Sequence, residues 1–185
     1  MKFSKALFKN FRLLRDLELD FSTDPEKRLT VIRAANESGK TTTLIAMQWA
    51  LYGDITLPGK GKDYRLHPID WDFEKNPRAM IEVMIEFEHV SYKPANNGKS
   101  QEMTKFYRLI RSTSEEMKGK KHKRLPSTVA LYELNPQGDT PIEPVEPILH
   151  DMLPLELREV FFTDGDRALS FIQANISATA KRQRV

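Results

Sequence analysis

The sequence predicts an α/β fold, and three observations support this prediction. Residues 29–33 form a short apolar, β-branched segment, and a loop with glycine and lysine follows at residues 34–42. After the loop, apolar side chains recur at spacings of three and four, which is the pattern of an amphipathic helix. Residues 80–88 mostly alternate apolar and acidic side chains, as a half-buried strand does. Together these patterns indicate one α/β lobe with a mixed sheet.

The individual elements follow from local patterns along the chain. Residues 5–12 and 17–21 alternate over part of their length and predict two antiparallel strands. The apolar segment 29–33 predicts a buried strand, and residues 41–52 predict a helix that ends at Gly53. The remaining predictions are strands at 80–88, 104–111 and 129–134, an exposed lysine-rich loop at 113–127, and short helical segments at 148–152 and 155–160.

The composition fits a globular lobe and excludes several classes of protein. The chain has 185 residues, of which 39% are apolar and 30% charged, as in ordinary globular domains. It contains no cysteine, which excludes a disulfide framework, a thiol nucleophile and a cysteine-ligated zinc site. No apolar run approaches the roughly 20 residues that span a bilayer, and no secretory signal is visible. We therefore expect a cytoplasmic protein without a membrane partner.

The net charge of +3 is unevenly distributed along the chain. Residues 99–124 contain nine basic and three acidic residues, whereas residues 125–166 contain one basic and nine acidic residues. This distribution disfavours a uniformly basic nucleic-acid binder but permits a basic patch. The basic run predicted to contact a DNA backbone consists of Lys118, Lys120, Lys121, Lys123 and Arg124. The alternative for this run is a solvated loop.

Residues 34–42 follow the phosphate-binding pattern G-x-x-x-x-G-K-[ST], with Ala34 in place of the first glycine. In such a loop, backbone N–H groups form an anion nest, and Gly39 lets the backbone approach a phosphate. Lys40 supplies charge to the β- and γ-phosphates, the Thr41 hydroxyl ligates Mg²⁺, and the positive end of the helix faces the same phosphates. The alternative is a chance Gly-Lys-Thr, which the flanking strand and helix patterns disfavour. The loop thus predicts ATP and Mg²⁺ as cofactors. The predicted binding residues of the loop are Asn36, Glu37, Ser38, Gly39, Lys40, Thr41 and Thr42.

Three segments resemble the ABC-type ATPase heads of SMC, RecF and DndD proteins. The first is residues 36–53, from Asn-Glu-Ser-Gly-Lys-Thr-Thr to Ala-Leu-Tyr-Gly, and the second is residues 9–21, which begin Lys-Asn-Phe-Arg and end Leu-Glu-Leu-Asp-Phe. The third is residues 157–166, Leu-Arg-Glu-Val-Phe-Phe-Thr-Asp-Gly-Asp, which looks like the Phe-Phe-x-Asp-Gly-Glu segment of DndD-like proteins. The resemblance implies the N-terminal lobe of a P-loop NTPase head.

The resemblance also implies how the protein is assembled. In these relatives both ends of a long chain form one head, and the C-terminal lobe carries the signature motif and the Walker B acid pair. Neither motif occurs in this sequence. Residues 1–166 would then be the N-terminal lobe, and residues 167–185 a helix that leads into a coiled coil. The implied partners are the C-terminal lobe of the same protein, a second copy of the head as a homodimer, DNA, and accessory subunits such as a nuclease.

Three further residues receive roles from the resemblance alone. Asp164 stands where relatives carry the Q-loop glutamine that ligates Mg²⁺, and a carboxylate is a suitable hard oxygen ligand. The alternatives for Asp164 are a turn residue and a Walker B acid. Arg12 corresponds to a basic residue that approaches the nucleotide, and Arg65 to an arginine that reaches the nucleotide in SMC heads. For both arginines the alternative is an exposed structural position. The predicted catalytic residues are therefore Lys40 and Asp164.

The function that the resemblance implies is ATP hydrolysis by an assembled head that acts on DNA in repair or in defence against phages or plasmids. We expect the isolated chain to hydrolyse ATP poorly, since the water-orienting glutamate and the signature loop would come from other lobes. The alternative is a nucleotide-dependent interaction module without turnover of its own. A small P-loop kinase is disfavoured, because two strands precede the P-loop strand and no lid is recognisable.

Overall fold

A seven-stranded sheet with one long helix on its inner face forms the body of the molecule. The structure is a computed structural model, and it describes residues 1–27, 29–59, 63–94, 100–119 and 121–163. In chain order the elements are β1 (Lys2–Phe11), β2 (Leu14–Asp20), α1 (Lys40–Tyr52), a 3₁₀ turn (Gly53–Thr56), β3 (Arg78–Pro94), β4 (Ser100–Lys118), β5 (Lys121–Arg124), β6 (Thr128–Glu133), β7 (Thr140–Ile142), α2 (Val145–Met152), a second 3₁₀ turn (Leu155–Leu157) and α3 (Arg158–Phe161).

The strands lie in the order β2-β1-β3-β4-β6-β7, and β5 pairs with β4 beside this path. Every pair among the described strands is antiparallel, whereas the sequence predicted a mixed sheet. Helix α1 contacts β1, β3 and β4, so the predicted α/β class and the predicted packing of the helix on the sheet are confirmed. The predicted helix and coiled-coil entry at 167–185 lie outside the described residues.

The two faces of the sheet differ in chemistry, as the alternating pattern requires. The inner face joins α1 in one apolar core that includes Ala6, Phe8, Val83, Ile85, Leu109, Leu131, Ala46, Trp49 and Ala50. On the outer face, charged cross-strand pairs lie next to each other. Lys9 is paired with Glu82 at 3.3 Å, and Arg108 with Glu86 at 2.8 Å. The outer face is therefore suited to water, and the core that positions the phosphate loop lies on the α1 side.

The predicted buried strand at residues 29–33 is wrong for the described structure. These residues are not paired in the sheet, and the side chains of Leu29, Val31 and Ile32 are 78%, 69% and 49% exposed. An apolar β-branched segment becomes a strand only where neighbouring strands satisfy its backbone N–H and C=O groups. Within the described part of the chain, none of the strands lies beside it.

The predicted exposed loop at residues 113–127 is also wrong. Strand β4 continues to Lys118, and β5 pairs back on it. Thr113, Ser114 and Glu115 are buried. The polar pattern misled the prediction because buried positions are here filled by polar groups whose hydrogen bonds are satisfied.

A buried arginine of β4 holds the C-terminal end of α1. Arg111 is 4% exposed, and its Nε donates a hydrogen bond to the carbonyl oxygen of Ala50 at 3.0 Å. Burial lowers the pKa of Arg111, although the charges of Glu146 and Asp54 act in the opposite direction. A guanidinium stays protonated in proteins, and a cation at a helix C-terminus is favourable. Arg111 therefore fixes the far end of the helix that follows the phosphate loop.

Gly53 is required where α1 ends against this arginine. Its φ of 76° and ψ of −161° lie in a region that is essentially restricted to glycine, and an added Cβ would lie 3.3 Å from Nη1 of Arg111. We predict that Gly53→Ala lowers the free energy of unfolding by about 2 kcal/mol, measured by chemical denaturation. Gly59→Ala is the matched control, since Gly59 also has a positive φ but no atom lies within 4 Å of its added Cβ. Equal losses in the two variants would contradict the role of the Arg111 contact.

Candidate functional site

The loop before α1 has the backbone shape of an anion-binding nest. Glu37 and Gly39 have positive φ values of 62° and 101°, and Gly39 is the N-cap of the helix that begins at Lys40. Left-handed residues at such spacing turn backbone N–H groups toward one side, where they meet an anion. The first turn of α1 contains no acidic residue, so nothing there opposes the positive end of the helix dipole.

The ammonium group of Lys40 lies over this loop. It donates hydrogen bonds to the carbonyl oxygens of Ala34 at 2.9 Å and Ala35 at 2.6 Å. The hydroxyl of Ser38 donates to the same Ala35 carbonyl at 2.7 Å. Among the residues that the structure describes, no carboxylate forms an ion pair with Lys40. Its charge therefore has only neutral partners, and the site suits an anionic ligand.

The two threonines of the loop differ in their surroundings. Thr41 is exposed and lines a cleft of about 390 Å³ together with Gln48, Arg158 and Phe162. Thr42 is buried and does not line this cleft. Asp164, the predicted Mg²⁺ ligand and catalytic residue, lies outside the described residues. Phe162, the second residue before it in the sequence, lines the same cleft as Thr41.

The turn between β1 and β2 packs directly against the phosphate loop. A Cβ added to Gly39 would lie 3.2 Å from Cδ2 of Leu14 and 3.7 Å from Cβ of Leu13. Arg12, which precedes these leucines, has a φ of 52° and is half-buried. Its guanidinium donates to the Arg65 carbonyl at 3.1 Å and lies 4.7 Å from the centre of the Tyr64 ring. The structure thus places the Arg12 guanidinium against the backbone of Arg65, and Leu13 and Leu14, the next two residues, join Arg12 to the phosphate loop.

A buried polar cluster centred on Glu115 lies behind these two arginines. Glu115 is 3% exposed and accepts hydrogen bonds from the backbone N–H groups of Leu66 and His67, each at 3.1 Å to Oε2. The His67 ring contacts the same carboxylate oxygen through Nδ1. The fourth donor is Nε of Arg124, at 2.8 Å from Oε1. Every side of this carboxylate is therefore met by a donor.

Arg124 connects the cluster to the end of α1. Its Nη1 lies 3.4 Å from the carboxylate of Asp54, and its Nη2 donates to the carbonyl of Tyr64. Asp54 in turn accepts a hydrogen bond from Nε1 of Trp49 in α1 at 2.8 Å. The Arg124 side chain is only 8% exposed, which removes it from the basic run predicted to contact DNA. The sequence prediction missed this cluster, and the available signal was the acidic pair Glu115-Glu116 inside a basic segment.

The environment of Glu115 keeps it ionised. Burial by itself would raise the pKa of this carboxyl, but the hydrogen bonds from Arg124 and His67 outweigh that effect and hold the pKa below the ordinary value of 4.5. A lowered pKa in the folded state means that ionised Glu115 stabilises the fold above the pKa of the unfolded chain. This stabilisation is lost as the pH falls through the lower folded pKa.

We predict that Glu115→Gln lowers the free energy of unfolding at pH 7 by roughly 3 kcal/mol, because it removes the buried carboxylate that pairs with Nε of Arg124. The difference from the unaltered chain should narrow as the pH falls below 4.5, the ordinary value of this carboxyl. Denaturant titrations at a series of pH values measure both effects. The control is Glu116→Gln, which makes the same change at the next residue, on a more exposed side chain that pairs with Arg78. This variant should retain the pH dependence of the unaltered chain. A difference for Glu115→Gln that stays constant with pH would contradict the ionised state.

The described residues contain neither a helix long and apolar enough to cross a membrane nor a group of three or more histidine, aspartate or glutamate side chains arranged to hold a metal ion.

No curated protein matches the chain. Residues 7–176 match the family model described as an AAA domain. The match covers most of the chain, including the phosphate loop, α1 and the strands that pack on it. The chain therefore belongs to the AAA domain family, whose domains are usually nucleotide-binding ATPases.

Proposed function

We propose that this chain is the ATP-binding N-terminal lobe of an SMC-like ATPase head. The observation that supports it best is the phosphate loop, where the ammonium of Lys40 lies over a nest-shaped backbone at the start of α1 and has no carboxylate partner among the described residues. In this proposal the head hydrolyses ATP when a C-terminal lobe completes it and a second head opposes it. In this proposal the assembled head acts on DNA in defence or repair.

The residues present fit a magnesium-bound triphosphate. The loop N–H groups and the N-terminus of α1 would hold the phosphate oxygens, and Lys40 would neutralise charge on the β- and γ-phosphates. The Thr41 hydroxyl, together with the predicted ligand Asp164, would hold Mg²⁺, which spreads the negative charge of the β- and γ-oxygens. Gly39 would let the backbone approach the phosphates, because it has no side chain. Its φ of 101° is also a conformation that larger residues rarely adopt.

The exposed segment 29–33 supports completion by another lobe. Leu29, Val31 and Ile32 present a row of apolar side chains to solvent, immediately before the phosphate loop. Burying an apolar side chain of this size is worth about 1.5–3 kcal/mol, and the unpaired backbone here can accept a neighbouring strand. A C-terminal lobe that supplies such strands would satisfy both requirements. The alternative, a nucleotide-dependent interaction module, binds ATP at the same loop but does not turn it over after assembly.

We predict that Lys40→Ala weakens the binding of Mg·ATP by tenfold or more. The lost interaction is a charge-assisted hydrogen bond worth roughly 1.5–3 kcal/mol, and about 1.4 kcal/mol corresponds to a factor of ten in affinity. Titration calorimetry of the chain with Mg·ATP measures the change. Lys75→Ala is the control, because Lys75 is 81% exposed and pairs only with Asp72 among the described acids. Unchanged affinity in the Lys40 variant would refute the phosphate-site assignment.

We further propose that the hairpin of β4 and β5 contacts the DNA backbone in the assembled protein. Lys118 and Lys123 are exposed on this hairpin, whereas Arg124 is engaged with Glu115. Contacts of this kind do not depend on base sequence, since they release counterions from phosphates.

Replacing Lys120, Lys121 and Lys123 by Glu should weaken binding to all duplexes alike. The slope of log affinity against log salt should fall by roughly 0.9 for each lysine that contacts a phosphate. Equilibrium binding of the assembled protein to two unrelated duplexes over a range of salt concentrations measures both quantities. Reversing the exposed Lys27 and Lys75 instead should leave both unchanged. If the hairpin variant and the unaltered protein had equal affinity and equal slope, the hairpin would be a solvated loop that does not contact DNA.

A further inference from the structure

We propose that Glu115 and Arg124 are positioning residues for the nucleotide site. They fix the backbone of residues 64–67, called here the clamped segment. In this proposal the clamped segment orients Arg12, whose turn packs on Gly39, and Arg65 for contact with the bound phosphates. The proposal rests on the proposed function, since it requires that the loop binds a nucleotide. It assigns a role to a buried cluster that the phosphate-binding pattern does not include.

Hydrogen bonds hold the clamped segment at each of its residues. On one side, Arg124 binds the carbonyl of Tyr64, while Glu115 accepts the N–H groups of Leu66 and His67 at 3.1 Å. On the other side, Arg12 donates from Nη1 to the carbonyl of Arg65 and from its backbone N–H to the carbonyl of Leu66, at 3.1 and 2.6 Å. The segment therefore has little freedom to move relative to β4 or to the β1–β2 turn.

The cluster reaches the phosphate loop through short contacts. Leu13 and Leu14, the two residues after Arg12, lie against Gly39 at the start of α1. At the other end of the helix, Arg124 contacts Asp54, which accepts the Trp49 hydrogen bond. A change in the Glu115–Arg124 pair would therefore move Arg12 and the clamped segment relative to both ends of α1.

The two arginines presented in this way are suited to phosphate. Neither Arg12 nor Arg65 forms an ion pair with an acid among the residues that the structure describes, and the Arg65 side chain is exposed. Arginine binds phosphate oxygens with a planar fork of donors, and this interaction depends strongly on orientation. A buried ion pair contributes little net stability compared with apolar packing. Glu115 and Arg124 make three hydrogen bonds to the backbone of the clamped segment and Arg12 makes two, and these five bonds would define the orientation that the arginines need.

The first variant is Glu115→Gln, with Glu116→Gln as the matched control. Titration calorimetry gives the affinity of each chain for Mg·ATP and for Mg·ADP. Glu115→Gln should weaken ATP binding by about tenfold, which corresponds to one charge-assisted hydrogen bond. The affinity for ADP should fall less, because ADP offers fewer phosphate charges to the displaced arginines. Glu116→Gln should bind both nucleotides as the unaltered chain does. A general loss of folding would instead reduce both affinities to the same extent.

A second pair of variants covers the case in which Glu115→Gln does not fold. Tyr64 is half-buried, and its ring lies under the guanidinium of Arg12. Tyr64→Leu removes the aromatic face and should lower the ratio of ATP to ADP affinity, whereas Tyr64→Phe keeps the face and should restore that ratio. The role of the clamp is overturned if both Glu115→Gln and Tyr64→Leu bind ATP like the unaltered chain, or if they lose ATP and ADP affinity equally. Failure of the proposed function looks different, because then Lys40→Ala binds ATP like the unaltered chain or the unaltered chain binds none.

Discussion

A carboxylate removed from water needs donors on every side, and Glu115 of β4 meets this requirement with groups from two other parts of the chain. The N–H groups of Leu66 and His67 come from the irregular segment after α1, and Arg124 comes from β5. Because an unpaired buried charge would cost several kcal/mol, these parts must stay together for the protein to remain folded. Besides its apolar side chains, the irregular segment is held from the β1–β2 side by the two hydrogen bonds that Arg12 donates to the carbonyls of Arg65 and Leu66. Between Thr56 and Arg78 the described residues form no helix or strand, and the order of residues 64–67 thus depends on one acidic residue of β4.

The same constraint organises the charges around α1. Lys40 lies at the positive end of the helix, and neither Lys40 nor Arg12 or Arg65 forms an ion pair with a described carboxylate. At the negative end, Arg111 donates to the Ala50 carbonyl, which is the favourable placement for a cation. Acidic groups pair with cations on the outer face of the sheet and in the Glu115 cluster. Lys40 keeps a charge that no described carboxylate pairs with, and an anionic ligand would neutralise it.

Patterns in the sequence predicted the elements that pack through apolar side chains against other apolar side chains. The helix at α1 and the strands β1, β2, β3 and β6 follow from apolar periodicity, because each buries an apolar stripe in one core. The prediction failed where burial is polar. Glu115 and Arg124 read as solvated charges in a lysine-rich stretch, and only the fold shows that they face each other across β4 and β5. Lys40, Gly39 and Thr41 were recognisable because their spacing is set by local backbone geometry, whereas the clamped segment depends on contacts about fifty residues apart along the chain.

The strand predicted at residues 29–33 was wrong for the opposite reason, because apolar side chains are exposed there. This exposure affects how the phosphate loop is held. The apolar pattern is that of a strand buried on both faces, yet no described strand pairs with it. The phosphate loop is therefore anchored firmly on its C-terminal side, by α1, Leu13 and Leu14, and held on its N-terminal side mainly by the Lys40 and Ser38 bonds to Ala34 and Ala35. A strand that paired with residues 29–33 would fix this second side. Nucleotide binding would draw Lys40 away from those carbonyls toward phosphate, so the pairing strand would supply the support that Lys40 gives up. Completion of the lobe and tight binding of the nucleotide would then favour each other through the same six residues, 34–39.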